Sequence, residues 1–450
     1  MTKKEKEKIH ILTISDHPLS PSGVGTQTKY FIAELLKTGN FKFTSIAGAI
    51  KHENYQPQKL EEFGDDWVIY PIDGYGNPEV IRSLLRTHKP DMLWFMTDPR
   101  FYTWLWEIEN EVRSLVPMVY YHVWDNYPYP KFNKIWYDST DAIVTISKLT
   151  SDIVRNVSPD VIEKYIPHSI PPGIFKPMSE TDRAVFRKNN FNIKPEDDHT
   201  VFFWNNRNAR RKQSGSLIFW FKEFLDELYE KDKSAKATLI MHTAAKDPNG
   251  QDLNAIIDNL GLNKDGKQEV LISEHKIEPH LLSKIYSAVD CTVSVSDAEG
   301  FGLATFESLA CGTPIIATMT GGLQEQVTYI DEVTHENMLE RNANNKAYTV
   351  YEHGIGLEPS SKAIIGSQQV PYIYEDRLSK SQVVEALMEM RDLGPDKRKE
   401  MGLAGQKHIN ENYDFNTMAK EWHNFILDVH KKCGSWETRK NYKNWELKEI

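Results

Sequence analysis

The sequence has 450 residues, a formal net charge of −10 at pH 7, 40% hydrophobic residues and 26% charged residues. A chain of this length exceeds one hydrophobic core, so we expect a globular protein of two domains. The acidic balance gives no signal for a protein built mainly to bind nucleic acid. No apolar run approaches the length of a membrane span.

Cysteine usage and the first residues favour the cytoplasm. Cys291, Cys311 and Cys433 are few and odd in number, which fits a reducing compartment, and they lack the spacing of a zinc site. The N-terminal sequence MTKKEKEK is charged and has no apolar run behind it, so we expect no signal peptide here. We therefore expect a cytoplasmic protein, and peripheral contact with a membrane stays open.

The first part of the chain alternates between short apolar runs, typical of buried parallel strands, and segments with helical spacing. Strands are predicted at 9–15, 43–47, 92–96, 117–121 and 142–146, with a helix at 30–36. The segment 166–177, IPHSIPPGIFKP, is rich in proline and glycine, and this composition predicts a linker between two domains.

A glycine turn follows the first predicted strand. Residues 22–26, SGVGT, begin like the dinucleotide fingerprint G-x-G, but Thr28 stands where the third glycine is expected. No acidic residue closes a second strand at the expected distance, which weakens an NAD-binding interpretation. A purely structural turn stays open as the alternative.

A histidine ends one of the predicted strands. His122 follows the run 117–121, and the carboxyl edge of a parallel sheet is where ligands bind. We therefore expect the His122 side chain to point into the cleft. The alternative is a histidine that is only packed among aromatic neighbours.

A second alternation of strands and helices begins after the linker. Strands are predicted at 201–204, 238–241, 270–272, 292–295 and 315–317, and the chain becomes helical after about residue 378. This pattern predicts an α/β protein of two doubly wound halves with a cleft between them. The segment 328–369 receives no functional assignment.

The most informative segment is EGFGLATFESLACG, residues 299–312. Two carboxylates, Glu299 and Glu307, flank a glycine turn that opens a predicted helix. Unpaired N–H groups and the positive dipole end at a helix N-terminus suit a phosphate. Glu307 lies further along the helix, where it can reach a ribose hydroxyl. The segment predicts a site for a sugar attached to a diphosphate, and an ordinary amphipathic helix with incidental glutamates is the alternative.

Residues 299–322, EGFGLATFESLACGTPIIATMTGG, resemble the E-x7-E signature of the retaining GT-B glycosyltransferases of glycosyltransferase family 4. The resemblance covers most of residues 9–322 and implies the GT-B fold of two Rossmann-like domains. It also implies which residues contact the donor. They are Glu299, Gly300 and Phe301 for the sugar, Glu307 for the ribose, and the amides of Gly302 and Leu303 for the diphosphate.

The resemblance extends to a basic segment, FFWNNRNARRKQ. Members of the family carry an arginine and a lysine at the spacing of Arg207 and Lys212, which implies that these two grip the donor diphosphate. An Arg fork and a Lys point charge suit that task. A solvated basic loop is the alternative.

Further residues of the first half also acquire implied roles. Relatives place a glycine-rich loop at the position of Gly23 and Gly25, against the donor phosphate or the acceptor. They carry a histidine near the donor sugar at the position of His122, which we predict to be catalytic together with Glu299.

The domain roles follow from the same resemblance. Residues 1–176 would form an acceptor domain, completed by C-terminal helices at about 415–450, and residues 177–414 would form the nucleotide-sugar donor domain. Asp98, Arg100 and Asp125 in the first domain are predicted acceptor contacts.

The implied reaction transfers a hexose from a UDP- or GDP-linked sugar to a hydroxyl of a glycan, lipid or other acceptor, with retention of configuration. The metal-binding D-x-D of the other glycosyltransferase fold is absent from the sequence. We expect no metal and no cofactor, because basic side chains and a helix terminus can neutralise the leaving diphosphate. Two alternatives stay open: a sugar-nucleotide epimerase, and a non-catalytic module that binds sugar nucleotides or glycans.

Overall fold

The computed structural model describes residues 8–344 and 347–442. Residues 443–450, the end of the predicted C-terminal helices, lie outside the described residues. The strands are β1 Ile9–Asp16, β2 Phe41–Gly48, β3 Gln58–Lys59, β4 Trp67–Pro71, β5 Met92–Thr97, β6 Met118–His122, β7 Ala142–Thr145, β8 Ile162–Tyr165, β9 His199–Asn205, β10 Lys236–His242, β11 Val270–Ser273, β12 Cys291–Ser294, β13 Ile315–Thr318, β14 Thr349–Val350, β15 Gly354–Leu357, β16 Ser361–Ile365 and β17 Ile373–Arg377.

Helices connect most of these strands. The α-helices are α1 Gly23–Lys37, α2 Pro78–His88, α3 Thr103–Glu107, α4 Glu109–Arg113, α5 Lys134–Asp138, α6 Lys148–Val157, α7 Glu180–Phe191, α8 Ser214–Lys231, α9 Leu253–Asn259, α10 Pro279–Ala288, α11 Leu303–Ala310, α12 Gln324–Val327, α13 His335–Ala343, α14 Lys380–Asp392, α15 Gly394–Asn412 and α16 Phe415–Cys433. Short 3₁₀ helices lie at Gly64–Asp66, Pro99–Tyr102, Lys131–Asn133, Arg210–Lys212, Lys264–Gly266, Gly321–Leu323 and Trp436–Thr438.

The first half is built on a sheet in the order β3-β4-β2-β1-β5-β6-β7-β8. Its neighbouring strands run parallel, except for the antiparallel edge pair β3 and β4. The direction of winding reverses between β1 and β5, so the loops after these strands diverge and leave a crevice at the carboxyl edge of the sheet.

The second half repeats this design in the order β11-β10-β9-β12-β13-β15-β14. Its strands are parallel apart from the short β14, which pairs antiparallel with β15. Here the winding reverses between β9 and β12, which puts the loop after β12 at a second crevice. The two doubly wound α/β halves predicted from the sequence are confirmed.

The last long helix, α16, returns to the first half. Its buried residues recur at helical spacing and form one apolar stripe. Trp422 on this stripe lies with its ring centroid 4.7 Å from that of Phe31 in α1. Phe31 in turn stacks on Trp94 of β5 at 4.6 Å. The C-terminal helix therefore completes the core of the first half.

Polar contacts join the two halves near α12. The carboxylate of the buried Glu325 accepts hydrogen bonds from the amide of Lys148 at 2.7 Å and the hydroxyl of Tyr165 at 2.9 Å. Burial raises the pKa of Glu325 to about 7. Across residues 8–344 and 347–442, no helix is long and apolar enough to cross a membrane.

Candidate functional site

A cavity of about 1210 Å³ lies between the carboxyl edges of the two sheets. Pockets that hold one drug-sized ligand have volumes of about 300–1,000 Å³, so this cavity is larger than a typical single-ligand site. Loops of both halves line it, including Asp16, Gly23, Asp98, Arg100, Asp125 and Asn126 from the first and Asn205, Arg210, Arg211, His242, Glu274, Glu299, Gly302, Leu303 and Glu307 from the second.

The loop after β12 leads directly into α11 at the wall of this cavity. Gly302 precedes the helix with φ +91°, a left-handed conformation that favours glycine. Among the described residues no side chain caps this helix N-terminus. The first amides of α11 therefore lack helical partners and lie at the cavity wall, where they can bind an anion.

A second glycine pair supports this loop from behind. A Cβ on Gly321 would lie 1.9 Å from the carbonyl oxygen of Glu299, and one on Gly322 would lie 2.5 Å from that of Gly300. Only glycines allow the chain after β13 to approach so closely. The amide of Gly322 donates to the Glu299 carbonyl at 3.0 Å and fixes the loop.

Glu299 lies within a basic cluster. Lys212 Nζ contacts its Oε2, and Arg211 Nη1 lies 3.8 Å from the same oxygen. Burial acts to raise the pKa of Glu299, but Lys212 and Arg211 outweigh burial and hold that pKa below its usual value. Glu299 is therefore an ionised carboxylate at the cavity wall.

Glu307 has a different environment, although it lies on the same helix. Its Oε2 accepts a hydrogen bond from the Tyr286 hydroxyl at 2.9 Å, and that hydroxyl accepts one from Asn205 Nδ2 at 2.8 Å. Burial raises the pKa of Glu307 to about 7. The two carboxylates therefore differ in charge near neutral pH, and Glu307 can act as donor or acceptor toward a hydroxyl.

The glycine turn of the first half reaches α11. A Cβ on Gly23 would lie 2.9 Å from Leu303 Cδ1, so this turn packs closely against the N-terminus of that helix. Gly25 differs, because its amide donates to the Ser22 side chain at 2.9 Å and its Cβ would meet the His17 carbonyl at 2.5 Å. Its amide is therefore engaged in capping α1 and is not free for a diphosphate.

The expectation that His122 points into the cleft is wrong. Its side chain is fully buried, its Nε2 lies 2.6 Å from the Tyr137 hydroxyl, and burial lowers its pKa to about 3. Side chains alternate along a strand, so His122 shares the sheet face of Tyr120. The next residues, Val123 to Asn126, line the cavity instead.

The basic segment after β9 divides into two parts. Arg207 is 64% exposed and pairs with Asp247 at 2.8 Å, and it is not among the residues that line the cavity. Arg210 and Arg211 do line it, whereas Lys212 is buried behind Glu299. Arg207 and Lys212 therefore do not line the cavity together in this structure, and their role in gripping the donor diphosphate stays a prediction.

The predicted acceptor residues lie together on the opposite wall. Asp98 accepts two hydrogen bonds from the Arg100 guanidinium, both at 2.8 Å. Asp125 lies 3.9 Å from Arg211 Nη1, across the cleft. Burial raises the pKa of Asp125 to about 6, against the opposing effect of Arg211. All three line the cavity.

One further residue at this wall, Asp16, was not among the residues predicted from the sequence. Asp16, at the end of β1, accepts hydrogen bonds from Ser22 at 2.6 Å and Tyr75 at 2.7 Å, and so anchors the glycine turn. A single aspartate after a strand carries no distinctive pattern. Within the described residues, no cluster of three or more His, Cys, Asp or Glu side chains could hold a metal ion.

Two Rossmann-like halves, with the site between their carboxyl edges, define the fold of the GT-B glycosyltransferases. Residues 250–335 match the family described as "Glycosyl transferases group 1", and this range contains both Glu299 and Glu307. The family match therefore covers the part of the second half that carries the candidate site.

Short stretches of the sequence match curated proteins. The D-inositol 3-phosphate glycosyltransferase of Thermomonospora curvata is 51% identical over 47 residues, which is 10% of this chain and 11% of that protein. The protein of the same description from Nocardiopsis dassonvillei is 38% identical over 92 residues, 20% of each chain. The match therefore spans a fifth or less of these relatives.

Solved structures resemble the chain over nearly its whole length. The sucrose-phosphate synthase from Thermosynechococcus elongatus has a TM-score of 0.67 at 15% identity, covering 94% of this chain and all of that one. An E. coli structure described as trehalose-6-phosphate bound with UDP-2-fluoro glucose has a TM-score of 0.63 at 11% identity, covering 93% and 98%. These likenesses establish the shared fold.

Proposed function

We propose that the protein is a retaining glycosyltransferase that moves a hexose from a nucleotide-diphosphate sugar to an acceptor hydroxyl without a metal ion. The observation that carries the proposal is the ionised Glu299 at the uncapped N-terminus of α11, beside Arg211 and Lys212. The match of this segment to a glycosyltransferase family supports it.

The diphosphate would lie between the first amides of α11 and Arg211. Both groups are positive and both line the cavity, so they stabilise the charge that develops as the bond from the sugar C1 to the phosphate oxygen breaks. Arg210 adds a second guanidinium to this wall. Lys212 acts through Glu299, because its ammonium group is directed at that carboxylate.

The two glutamates would bind different parts of the donor. Glu299 accepts hydrogen bonds from hydroxyls of the transferred sugar, which orients the sugar for attack. Glu307 binds the ribose, and its Tyr286 partner fixes the carboxyl group in place. Gly300 and Phe301 complete the floor beneath the sugar. This division matches the roles that the sequence resemblance implies.

The acceptor would enter from the wall of the first half, near Asp98, Arg100 and Asp125. Its hydroxyl attacks C1 from the face that the diphosphate leaves, so that the anomeric configuration is retained. The new bond joins the acceptor oxygen to C1, and the hydroxyl proton passes to the departing phosphate oxygen. His122 does not line the cavity, so this account gives it no contact with the donor.

The experiment is a turnover assay in buffer that contains a metal chelator. UDP-glucose and GDP-mannose are supplied with sugar phosphates, including D-inositol 3-phosphate, and release of UDP or GDP is measured by chromatography. Proton NMR of the product gives the anomeric configuration. We expect nucleotide release and retention, and a Glu299→Gln variant slower by about 100- to 1,000-fold.

The matched control is Arg82→Ala, which removes a surface charge that pairs with Glu79 and Glu111 outside the cavity. It should leave turnover unchanged. An inverted product, or a requirement for added divalent metal, would contradict the proposal. So would an epimerised sugar nucleotide that forms without acceptor.

A further inference from the structure

A hairpin at the cleft begins inside the segment 328–369, which has no functional assignment from the sequence, and it ends at Arg377. β16 and β17 pair antiparallel from Ser361 with Arg377 to Ile365 with Ile373, and they form a sheet of their own. The hairpin arises from the second half, since it follows β15 of that sheet. Its tip, residues 366–372, extends over to the first half.

Hydrogen bonds hold the hairpin against the first half. The amide of Tyr374 donates to the carbonyl of Tyr127 at 2.7 Å, and Asn126 Nδ2 donates to the carbonyl of Tyr374 at 2.6 Å. Both partners belong to the loop after β6. The backbone N–H and C=O groups of Tyr374 therefore both bond to the opposite half of the molecule.

Apolar packing adds to these bonds. Val370, in the tip, is only 6% exposed and belongs to a core cluster built mainly from first-half residues. Tyr372 packs edge-to-face on Phe132 with ring centroids 5.1 Å apart. A tip that only covered its own domain would not bury side chains in the other half.

Ion pairs fix the base of the hairpin to the second half. Glu375 is 4% exposed and accepts two hydrogen bonds from the Arg210 guanidinium, at 2.5 and 2.8 Å. Arg377 contacts Asp297 at 2.7 Å, in the loop after β12. These pairs link the hairpin to the loops that carry Arg211 and Glu299.

The hairpin closes one particular end of the cavity. Loops after β10 and β11, at one edge of the second sheet, line the far end through His242 and Glu274. β15 lies toward the other edge, and the hairpin that follows it lines the cavity through Ile365, Ser367 and Ile373. Glu299 lies on the loop after β12, between these two ends.

We propose that the hairpin Ser361–Arg377 is a strap that closes the acceptor end of the cleft and excludes long glycan acceptors. This inference rests on the proposed function, which places the donor sugar at Glu299. A strap bonded to both halves prevents a long glycan from passing through this end. The acceptor must therefore fit between the strap, Glu299 and the wall of Asp98 and Asp125.

Hydrogen exchange followed by mass spectrometry tests closure without any substrate. In the wild-type protein we expect the amide of Tyr374 to be protected. Asn126→Ala should speed exchange at Tyr374 by about tenfold, because one of the two cross-cleft bonds to this residue is lost. Ile364→Ala is the matched control, since this side chain is 70% exposed on the same hairpin, and it should leave exchange unchanged.

Turnover of a trimmed variant tests size selection. Replacing residues 366–372 by Asn-Gly joins Ile365 to Ile373 through a two-residue turn that suits paired strands. With UDP-glucose or GDP-mannose as donor, glucose 6-phosphate and maltoheptaose are compared as acceptors. We expect the trimmed variant to use the longer acceptor relatively better than the wild type, and to release more nucleotide when no acceptor is present.

The outcomes separate the two proposals. Unprotected exchange at Tyr374 in the wild type would overturn the strap, whatever the turnover. An unchanged preference between the two acceptors in the trimmed variant would overturn size selection. Absence of nucleotide release from every variant would instead contradict the proposed function, and the exchange data would still decide whether the strap is closed.

Discussion

Lys212 and Glu299 form a partly buried ion pair at the N-terminus of α11, with side chains 9% and 14% exposed. The two residues lie 87 positions apart in the chain and come from loops after different strands, β9 and β12. The pair couples the basic segment to the carboxylate at the cavity wall. Its disruption should therefore affect both stability and donor binding.

Lys212→Met should lower the free energy of unfolding by about 3 kcal/mol. Without the lysine ammonium group, the Glu299 carboxylate keeps its negative charge but loses the positive charge that offsets its removal from water. Urea unfolding measures this loss. The double variant Lys212→Met/Glu299→Gln should recover part of it, since the uncompensated charge is then absent. Equal losses in the single and double variants would show that the two side chains are not coupled.

Glu307 should make stability depend on pH. Burial raises its pKa from 4.5 to about 7, so between these values the folded protein keeps a proton that the unfolded chain releases. Stability therefore falls as pH rises through this range, by at most about 1.4 kcal/mol per pH unit. Glu307→Gln should remove this slope.

Urea unfolding at pH 5, 6, 7 and 8 measures the difference between wild type and Glu307→Gln. Glu325 also has a pKa raised to about 7 by burial, but it is present in both proteins and cancels in the difference. Parallel stability curves for the two proteins would contradict the assignment of a raised pKa to Glu307.

The two glycines at the start of α1 should respond differently to alanine. Gly25→Ala places a Cβ 2.5 Å from the backbone oxygen of His17, and this overlap should cost about 1–3 kcal/mol despite the better helix propensity of alanine. Gly23→Ala meets only the end of the Leu303 side chain, which can rotate. Thermal unfolding should show a loss for Gly25→Ala and little change for Gly23→Ala.

Arg211 and Arg207 make a paired test of the diphosphate assignment. Arg211→Ala removes a guanidinium from the cavity wall, whereas Arg207→Ala removes one that is bonded to Asp247. Calorimetric titration with UDP and GDP should show the larger loss of affinity in Arg211→Ala. A larger loss in Arg207→Ala would mean that Arg207 leaves Asp247 and enters the cleft when the nucleotide binds.

The architecture and the loop that carries Glu299 could be predicted from the sequence because both depend on patterns among neighbouring residues. Apolar runs alternate with helical segments, and the turn from Glu299 into α11 lies within a few positions. The glycines of such a turn are constrained by the backbone itself, as the positive φ of Gly302 shows. Local patterns of this kind need no knowledge of distant contacts.

Side-chain direction could not be predicted in the same way. Arg207 turns toward Asp247, 40 positions away, and Arg210 toward Glu375, 165 positions away. The position of His122 at the carboxyl edge of the sheet predicts contact with a ligand. Side chains alternate between the two faces of a strand, however, and this alternation places the His122 side chain in the core. These outcomes depend on partners that only the folded chain brings together.

We propose that a nucleotide diphosphate binds at α11 beside Glu299 and Arg211. The most direct measurement is metal-free thermal unfolding with UDP, GDP, ADP and their hexose conjugates, because a ligand that binds only the native state raises the midpoint. We predict a clear rise with one nucleotide that is lost in Arg211→Ala. No rise with any nucleotide, or an equal rise in the variant, would contradict the claim.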